Sequence, residues 1–274
     1  MDDRPIGVFD SGLGGLTSIP YIMRSLPREA IVYYGDTARA PYGSKTPSII
    51  RKMAAEIADF LVESQNVKLI AIACNTVSAV ALDVLRERHP GIPVIGIIEP
   101  ASLAVSKTCS LENRIGVIGT KATIASGFYP REIHALNPDL MVYQQACPLF
   151  VPLIEEGLSQ NRIMELTIEY CLDSFIAEND IDTLVLGCTH YSLIHEVIAG
   201  LYPTLSIIDS SAEIPGSIAA ELSSFDIASD IGAPERTFYA SDLSDSFVNT
   251  VDLIFSGTDY PKTIRSFNVE NFKS

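Results

Sequence analysis

Two short stretches hold the residues best suited to chemistry. Leu69-Ile70-Ala71-Ile72-Ala73 runs into Cys74-Asn75-Thr76, and Leu184-Val185-Leu186-Gly187 runs into Cys188-Thr189-His190. Each is an apolar, strand-like run that ends in a thiol followed by small or hydrogen-bonding residues. Two thiols presented alike suit a mirrored reaction, in which a proton leaves one face of a carbon and returns on the other. A lone cysteine in an apolar strand is ordinarily a small core hydrophobe, and Cys109 and Cys171 read that way. Cys74 and Cys188 differ because each closes its strand and precedes a predicted helix N-terminus, a setting that lowers a thiol pKa.

Both runs need elements to position them. Strands of parallel sheets read as short apolar runs, as in Ile6-Gly7-Val8-Phe9, Ile31-Val32-Tyr33-Tyr34, Val67 to Ala73 and Val94 to Ile98. Helices are predicted between them over 16–26, 48–65 and 77–89. Strand–helix alternation of this kind marks an α/β fold with mainly parallel sheets.

The second half repeats the order. Ile115-Gly116-Val117 follows Ile6-Gly7-Val8 by 109 residues, Val142-Tyr143 follows Val32-Tyr33 by 110, and Cys188 follows Cys74 by 114. Ile207-Ile208-Asp209 follows Ile97-Ile98-Glu99 by 110. Matches in one order at nearly one offset indicate an internal duplication, with further helices over 123–136, 162–178 and 190–201. After Asp209, a helix over 212–222, a strand over 237–240 and a helix over 245–255 are too short for a third domain and are expected to rejoin the first lobe. The expected lobes are 1–98 with 210–274, and 99–209. Open α/β sheets bind ligands at the carboxyl ends of their strands, so two facing lobes would bring both thiols to one cleft.

Composition bounds the function. The 274 residues are 47% hydrophobic and 19% charged, which is globular rather than disordered. A net charge of −15 disfavours nucleic acid as a partner. It leaves room for a small anion, since backbone N–H groups and helix ends make a pocket locally positive. No apolar run reaches membrane-spanning length, and Met1-Asp2-Asp3-Arg4-Pro5 does not read as a signal peptide. The five cysteines are scattered, without CxxC or zinc-type spacing, which suits the reducing cytoplasm. No nucleotide loop, metal cluster or Schiff-base lysine is visible, so no cofactor is expected.

Other segments stay open to two readings. Asp10-Ser11-Gly12-Leu13-Gly14-Gly15 resembles a dinucleotide fingerprint but has Thr17 where the last glycine belongs. Asp10 is either a helix N-cap or an acceptor for a ligand ammonium or a helper of a thiol base. The loop Gly35 to Gly43 is either a turn or a binding loop at the sheet's carboxyl edge. Its counterpart is Cys147 to Glu156, where a carboxylate is either a helix-start acid or a partner of His190. His190 itself is either a polar cap or a partner of Cys188.

Taken together, Asp10-Ser11-Gly12-Leu13-Gly14-Gly15, Gly35-Asp36-Thr37-Ala38-Arg39 with Pro41-Tyr42-Gly43, Cys74-Asn75-Thr76, Val151-Pro152-Leu153-Ile154-Glu155 and Gly187-Cys188-Thr189-His190-Tyr191 resemble the glutamate racemases of the cofactor-independent aspartate/glutamate racemase superfamily. Thr237-Phe238-Tyr239 resembles the family's C-terminal strand, so the likeness spans nearly the whole chain. One departure is Ser192, where the family usually carries proline. The resemblance implies two pseudo-symmetric αβα lobes with the site between them, no cofactor or metal, and interconversion of L- and D-glutamate for peptidoglycan in the cytoplasm. It implies Cys74 and Cys188 as the two acid/bases, facing D- and L-glutamate respectively. Asp10 would assist Cys74, and His190 with Glu155 would assist Cys188. Asp10, Ser11, Tyr42, Gly43, Asn75, Thr76, Thr189 and His190 would hold the substrate. Homodimers occur in the family without a single geometry. Rival readings are an aspartate or hydantoin racemase of the same superfamily, and a non-catalytic two-lobed solute-binding protein.

Overall fold

The computed structural model describes residues 1–230, 232–255 and 262–272. Its elements begin with β1 (Ile6–Asp10), α1 (Ile19–Ser25), β2 (Ile31–Gly35), α2 (Pro47–Asp59), β3 (Leu69–Ile72), α3 (Asn75–Arg88), β4 (Val94–Gly96) and α4 (Ile98–Thr108). They continue through β5 (Arg114–Gly119), α5 (Lys121–Ala125), α6 (Phe128–Leu136), β6 (Met141–Ala146), α7 (Phe150–Glu155), α8 (Arg162–Asn179), β7 (Thr183–Gly187), α9 (His195–Leu201) and β8 (Ser206–Asp209). The tail adds α10 (Ser210–Ser224), β9 (Arg236–Ala240), α11 (Asp245–Ile254) and β10 (Lys262–Ser266).

The strands form two sheets, ordered β10-β9-β2-β1-β3-β4 and β6-β5-β7-β8. Every pairing is parallel. The order β2-β1-β3-β4 recurs as β6-β5-β7-β8, and β9 joins the free edge of β2. The register refines the repeat. Ile6 pairs with Leu69 and Ile115 with Thr183, so the offsets of 109 and 114 at β1/β5 and at the cysteines are consistent with each other. Ile6 also pairs with Ile31, and Ile115 with Val142. Val142 is therefore equivalent to Ile31, one residue from the expected Val32. Likewise Ile207 is equivalent to Val94, three residues from the expected Ile97.

Side-chain alternation along the second sheet joins the two halves. Ile115, Val117 and Val185 point into the core shared with Ile6, Phe9 and Ile214. Ile118, Leu184 and Leu186 point to the other face, against Met164, Ile168 and Leu172 of α8. α10 packs on α4 and α1, and α4 packs on α6.

Several boundaries differ from expectation. The helix over 123–136 is two helices, because Gly127 takes a left-handed φ of 61° between them. The helix over 190–201 opens as a 3-10 turn, Thr189–Ile194, before α9. The helix over 48–65 ends at Asp59, and Phe60–Ser64 continue as a wider π turn. The strand over 94–98 stops at Gly96 because Ile98 opens α4, with Pro100 tolerated in its first turn.

Candidate active site

Both predicted thiols sit where a strand hands over to a helical turn. Cys74 has extended backbone and N-caps α3, and Cys188 likewise caps the turn Thr189–Ile194. Both line one cavity of about 430 Å³. Ser11, Tyr42, Gly43, Asn75, Thr76, Glu155, Thr189 and His190 share its wall. Asp10 does not: it is fully buried behind the wall. Its Oδ1 accepts the Gly12 N–H at 2.8 Å and its Oδ2 accepts the Thr189 hydroxyl at 3.3 Å.

The thiols have unlike company. The Cys74 thiol lies 3.3 Å from the Ser11 hydroxyl, which in turn reaches Asp10 at 3.5 Å. Burial, and then the charge of Asp10, push the Cys74 thiol up to about 12. That reverses the lowering expected from the helix N-terminus, because desolvation and a like charge both disfavour thiolate. Cys188 instead lies 3.9 Å from His190 Nδ1, while His190 Nε2 lies 3.1 Å from Glu155 Oε1. Burial opposes charge on His190, but its hydrogen bonds to Cys188 and Glu155 outweigh this and push it up to about 10. His190 is therefore an imidazolium at neutral pH, with both ring nitrogens donating. Burial raises Asp10 in turn, against the opposing charge of His190.

The remaining wall residues are held from behind. The Tyr42 hydroxyl donates to Asp36, whose carboxylate also accepts Arg39 Nε at 2.7 Å, so that hydroxyl is committed away from the cavity. Gly43 lets two loops meet: a Cβ there would lie 2.7 Å from Thr120 Cβ. Asn75 Oδ1 accepts the Tyr129 hydroxyl at 2.7 Å, and Asn75 Nδ2 donates to Ser210 at 3.1 Å. One amide N–H of Asn75 remains for a ligand. The N-terminal end of α3, Cys74 to Thr76, lines the cavity, and a helix N-terminus suits a carboxylate.

Three wall residues, Ser44, Thr120 and Lys121, went unforeseen. Thr120 lines the cavity and bonds Thr76 at 3.0 Å. The repeat held the signal, since the 109-residue offset places Thr120 under Ser11. Lys121 also stands on the wall, at the first residue of α5. Among the described residues, no cluster of three His, Cys, Asp or Glu side chains is arranged to hold a metal ion.

The sequence profile of the Asp/Glu/Hydantoin racemase family matches residues 20–214. The chain belongs to this family. Within it, the chain is 46% identical over 264 residues to a glutamate racemase of Chlorobaculum tepidum, covering 94% of each chain. It is 50% identical over 210 residues to a glutamate racemase of Sulfurihydrogenibium sp., covering 77% of this chain and 80% of the relative. The Francisella tularensis glutamate racemase, solved in complex with D-glutamate, superposes with a TM-score of 0.90 at 39% identity, covering 99% of this chain and all of the other. An aspartate racemase of Picrophilus torridus shares the fold at 17% identity and a TM-score of 0.56. The two-sheet α/β architecture is thus that of the family. Among the described residues, no helix is long and apolar enough to cross a membrane.

Proposed function

We propose that this chain interconverts L- and D-glutamate without a cofactor, passing protons through Cys74 and Cys188, and so supplies D-glutamate for peptidoglycan in the cytoplasm. The observation that carries this reading is the pair of thiols at equivalent strand ends on one cavity, one beside a carboxylate and the other beside an imidazolium. The similarity to glutamate racemases over nearly the full chain supports glutamate as the substrate.

The unlike settings define a starting state. Cys74 begins as the thiol, and conversion of L-glutamate requires Cys188 as the base, 3.9 Å from His190 Nδ1. Cys188 takes the α-proton of L-glutamate, and Cys74 delivers its own proton to the opposite face. The product is D-glutamate, and the two thiols have exchanged protonation states. D-glutamate runs the same steps backwards from the exchanged state.

The weakly acidic α-hydrogen demands stabilisation of the carbanion by fixed donors around the α-carboxylate. Asn75, Thr76 and Thr189 are proposed for that role, with Ser11, Tyr42, Gly43 and Thr120 holding the rest of the substrate. Asp10 acts on Cys74 through Ser11, and Glu155 acts on Cys188 through His190. The lobes carrying the two bases are proposed as 1–98 with 210–274, and 99–209.

The test is incubation with each glutamate enantiomer in heavy water, without added cofactor and with a chelator present. Racemisation with deuterium at Cα of the product supports the reading. Binding without exchange, or turnover of aspartate in preference to glutamate, contradicts it.

A further inference from the structure

Each thiol is followed four residues later by a serine, Ser78 after Cys74 and Ser192 after Cys188. The register makes these serines true equivalents at the 114-residue offset. Neither lines the cavity, yet both bond to the end of the strand beside their own. The Ser78 hydroxyl accepts the Ile97 N–H at 3.1 Å, just past β4, and reaches the Ile72 carbonyl of β3 at 3.3 Å. The Ser192 hydroxyl donates to Asp209 Oδ1, the last residue of β8, at 2.8 Å.

The second clip extends further. Asp209 Oδ1 also accepts the Ser211 N–H at 2.9 Å. The Ser211 hydroxyl lies 3.1 Å from Ser192 and 2.9 Å from Thr17. Thr17 belongs to the turn after β1 and reaches back to the Thr189 carbonyl at 3.3 Å. The loop of contacts Thr189–Thr17–Ser211–Asp209–Ser192 thus closes on the turn that carries Cys188 and His190. That turn is a 3-10 segment, whose own hydrogen bonds are the weaker kind, so outside anchors decide where it sits.

On the functional reading above, we infer that Ser192, anchored by Asp209, is a positioning residue for Cys188, and that Ser78 is its counterpart for Cys74. Neither touches substrate. Each sets the approach of one thiol to one face of the α-carbon, so each governs one of the two proton transfers.

The test uses Ser192→Ala, Ser192→Thr and Ser78→Ala in the full chain. Loss of the Ser192 hydroxyl is expected to lower kcat about tenfold, the usual scale for a hydrogen bond to a charged group, and to leave KM within about twofold, because binding groups stay in place. Ser192→Thr, which keeps the hydroxyl, should restore kcat. The decisive readout is the primary isotope effect with α-deuterated substrate. In Ser192→Ala it should rise with one enantiomer and fall with the other, and Ser78→Ala should show the reverse pattern. Equal changes with both enantiomers, a loss expressed in KM alone, or failure of Ser192→Thr to recover would overturn the inference. Alkylation rates of Cys188 relative to Cys74, read by mass spectrometry, need no turnover. They should shift in Ser192→Ala and recover in Ser192→Thr, and an unchanged ratio overturns the inference as well. A wild-type protein that fails to racemise glutamate would count against the functional reading, while the alkylation ratio would still decide the role of Ser192.

Discussion

Glu155→Gln isolates the electrostatic support of His190. Glu155 Oε1 lies 3.1 Å from His190 Nε2, and its side chain is 34% exposed. A hydrogen bond to a charged group contributes ~1.5–3 kcal/mol, and the exposure screens this pair toward the lower bound. A loss of about 1.5 kcal/mol from the transition state is roughly tenfold in rate. Glutamine keeps an acceptor for the Nε2–H, so the ring should stay in place while its charge loses support. His190→Asn, by contrast, removes the acid–base group itself and should cost about 10²–10⁴. The pH profile carries the sign. Glu155 helps hold His190 up to about 10, so removing the carboxylate lowers the pKa of the imidazolium. The alkaline limb of kcat/KM, where activity falls as His190 loses its proton, should therefore move to lower pH in Glu155→Gln. Circular dichroism of glutamate follows racemisation across the neutral and alkaline range. Because L- and D-glutamate are equally stable, kcat/KM is the same from either side and one enantiomer suffices. An alkaline limb that stays put or moves upward would refute this role for Glu155, as would a loss equal to that of His190→Asn.

Alkylation should label Cys188 before Cys74, since the Cys74 thiol is held up to about 12, and glutamate should protect both; peptide mapping that finds Cys74 first would contradict the starting state. Gly43→Ala should raise KM, because its Cβ would lie 2.7 Å from Thr120 Cβ and force the two loops apart; an unchanged KM would remove Gly43 from the binding wall. Tyr129→Phe should lower stability by about 1–3 kcal/mol, because Asn75 Oδ1 is left a buried acceptor without its 2.7 Å donor. Urea denaturation measures this, and a loss well below that range would mean that Asn75 finds another donor.

The strands that position the site were readable because a parallel sheet covered on both faces demands near-continuous apolar runs. Ile6 to Phe9, Ile31 to Tyr34 and Leu69 to Ile72 are such runs, and their carboxyl ends hold Asp10, Gly35 and the approach to Cys74. The same uniformity hid the register. Any residue of Ile31-Val32-Tyr33 can stand under Val142 in an apolar alignment, and only hydrogen bonding selects Ile31. Ile97-Ile98 looked like more strand, whereas Ile98 begins α4. Gly127 was a visible break within the helix predicted over 123–136, but its left-handed φ comes from the fold.

For the site, the residue types and order were legible, while their mutual influence was not. Helix N-terminal placement of Cys74 could be read from sequence, yet burial of the thiol, and then the charge of Asp10, reverse its consequence. The repeat also conceals where the halves differ. Asp10 answers to Gly119, and His190 answers to Thr76, so the two bases were given different partners at equivalent positions.

The two-base scheme is tested most directly by α-hydrogen exchange in heavy water with Cys74→Ser and Cys188→Ser, each given L- and D-glutamate separately. Neither variant should racemise, because inversion needs one base and one acid. Cys74→Ser should still exchange the α-hydrogen of L-glutamate with retained configuration, and Cys188→Ser that of D-glutamate, with the other enantiomer nearly inert in each case. Normal racemisation by either variant, or equal loss of exchange for both enantiomers in both variants, would contradict the assignment of one thiol to each face.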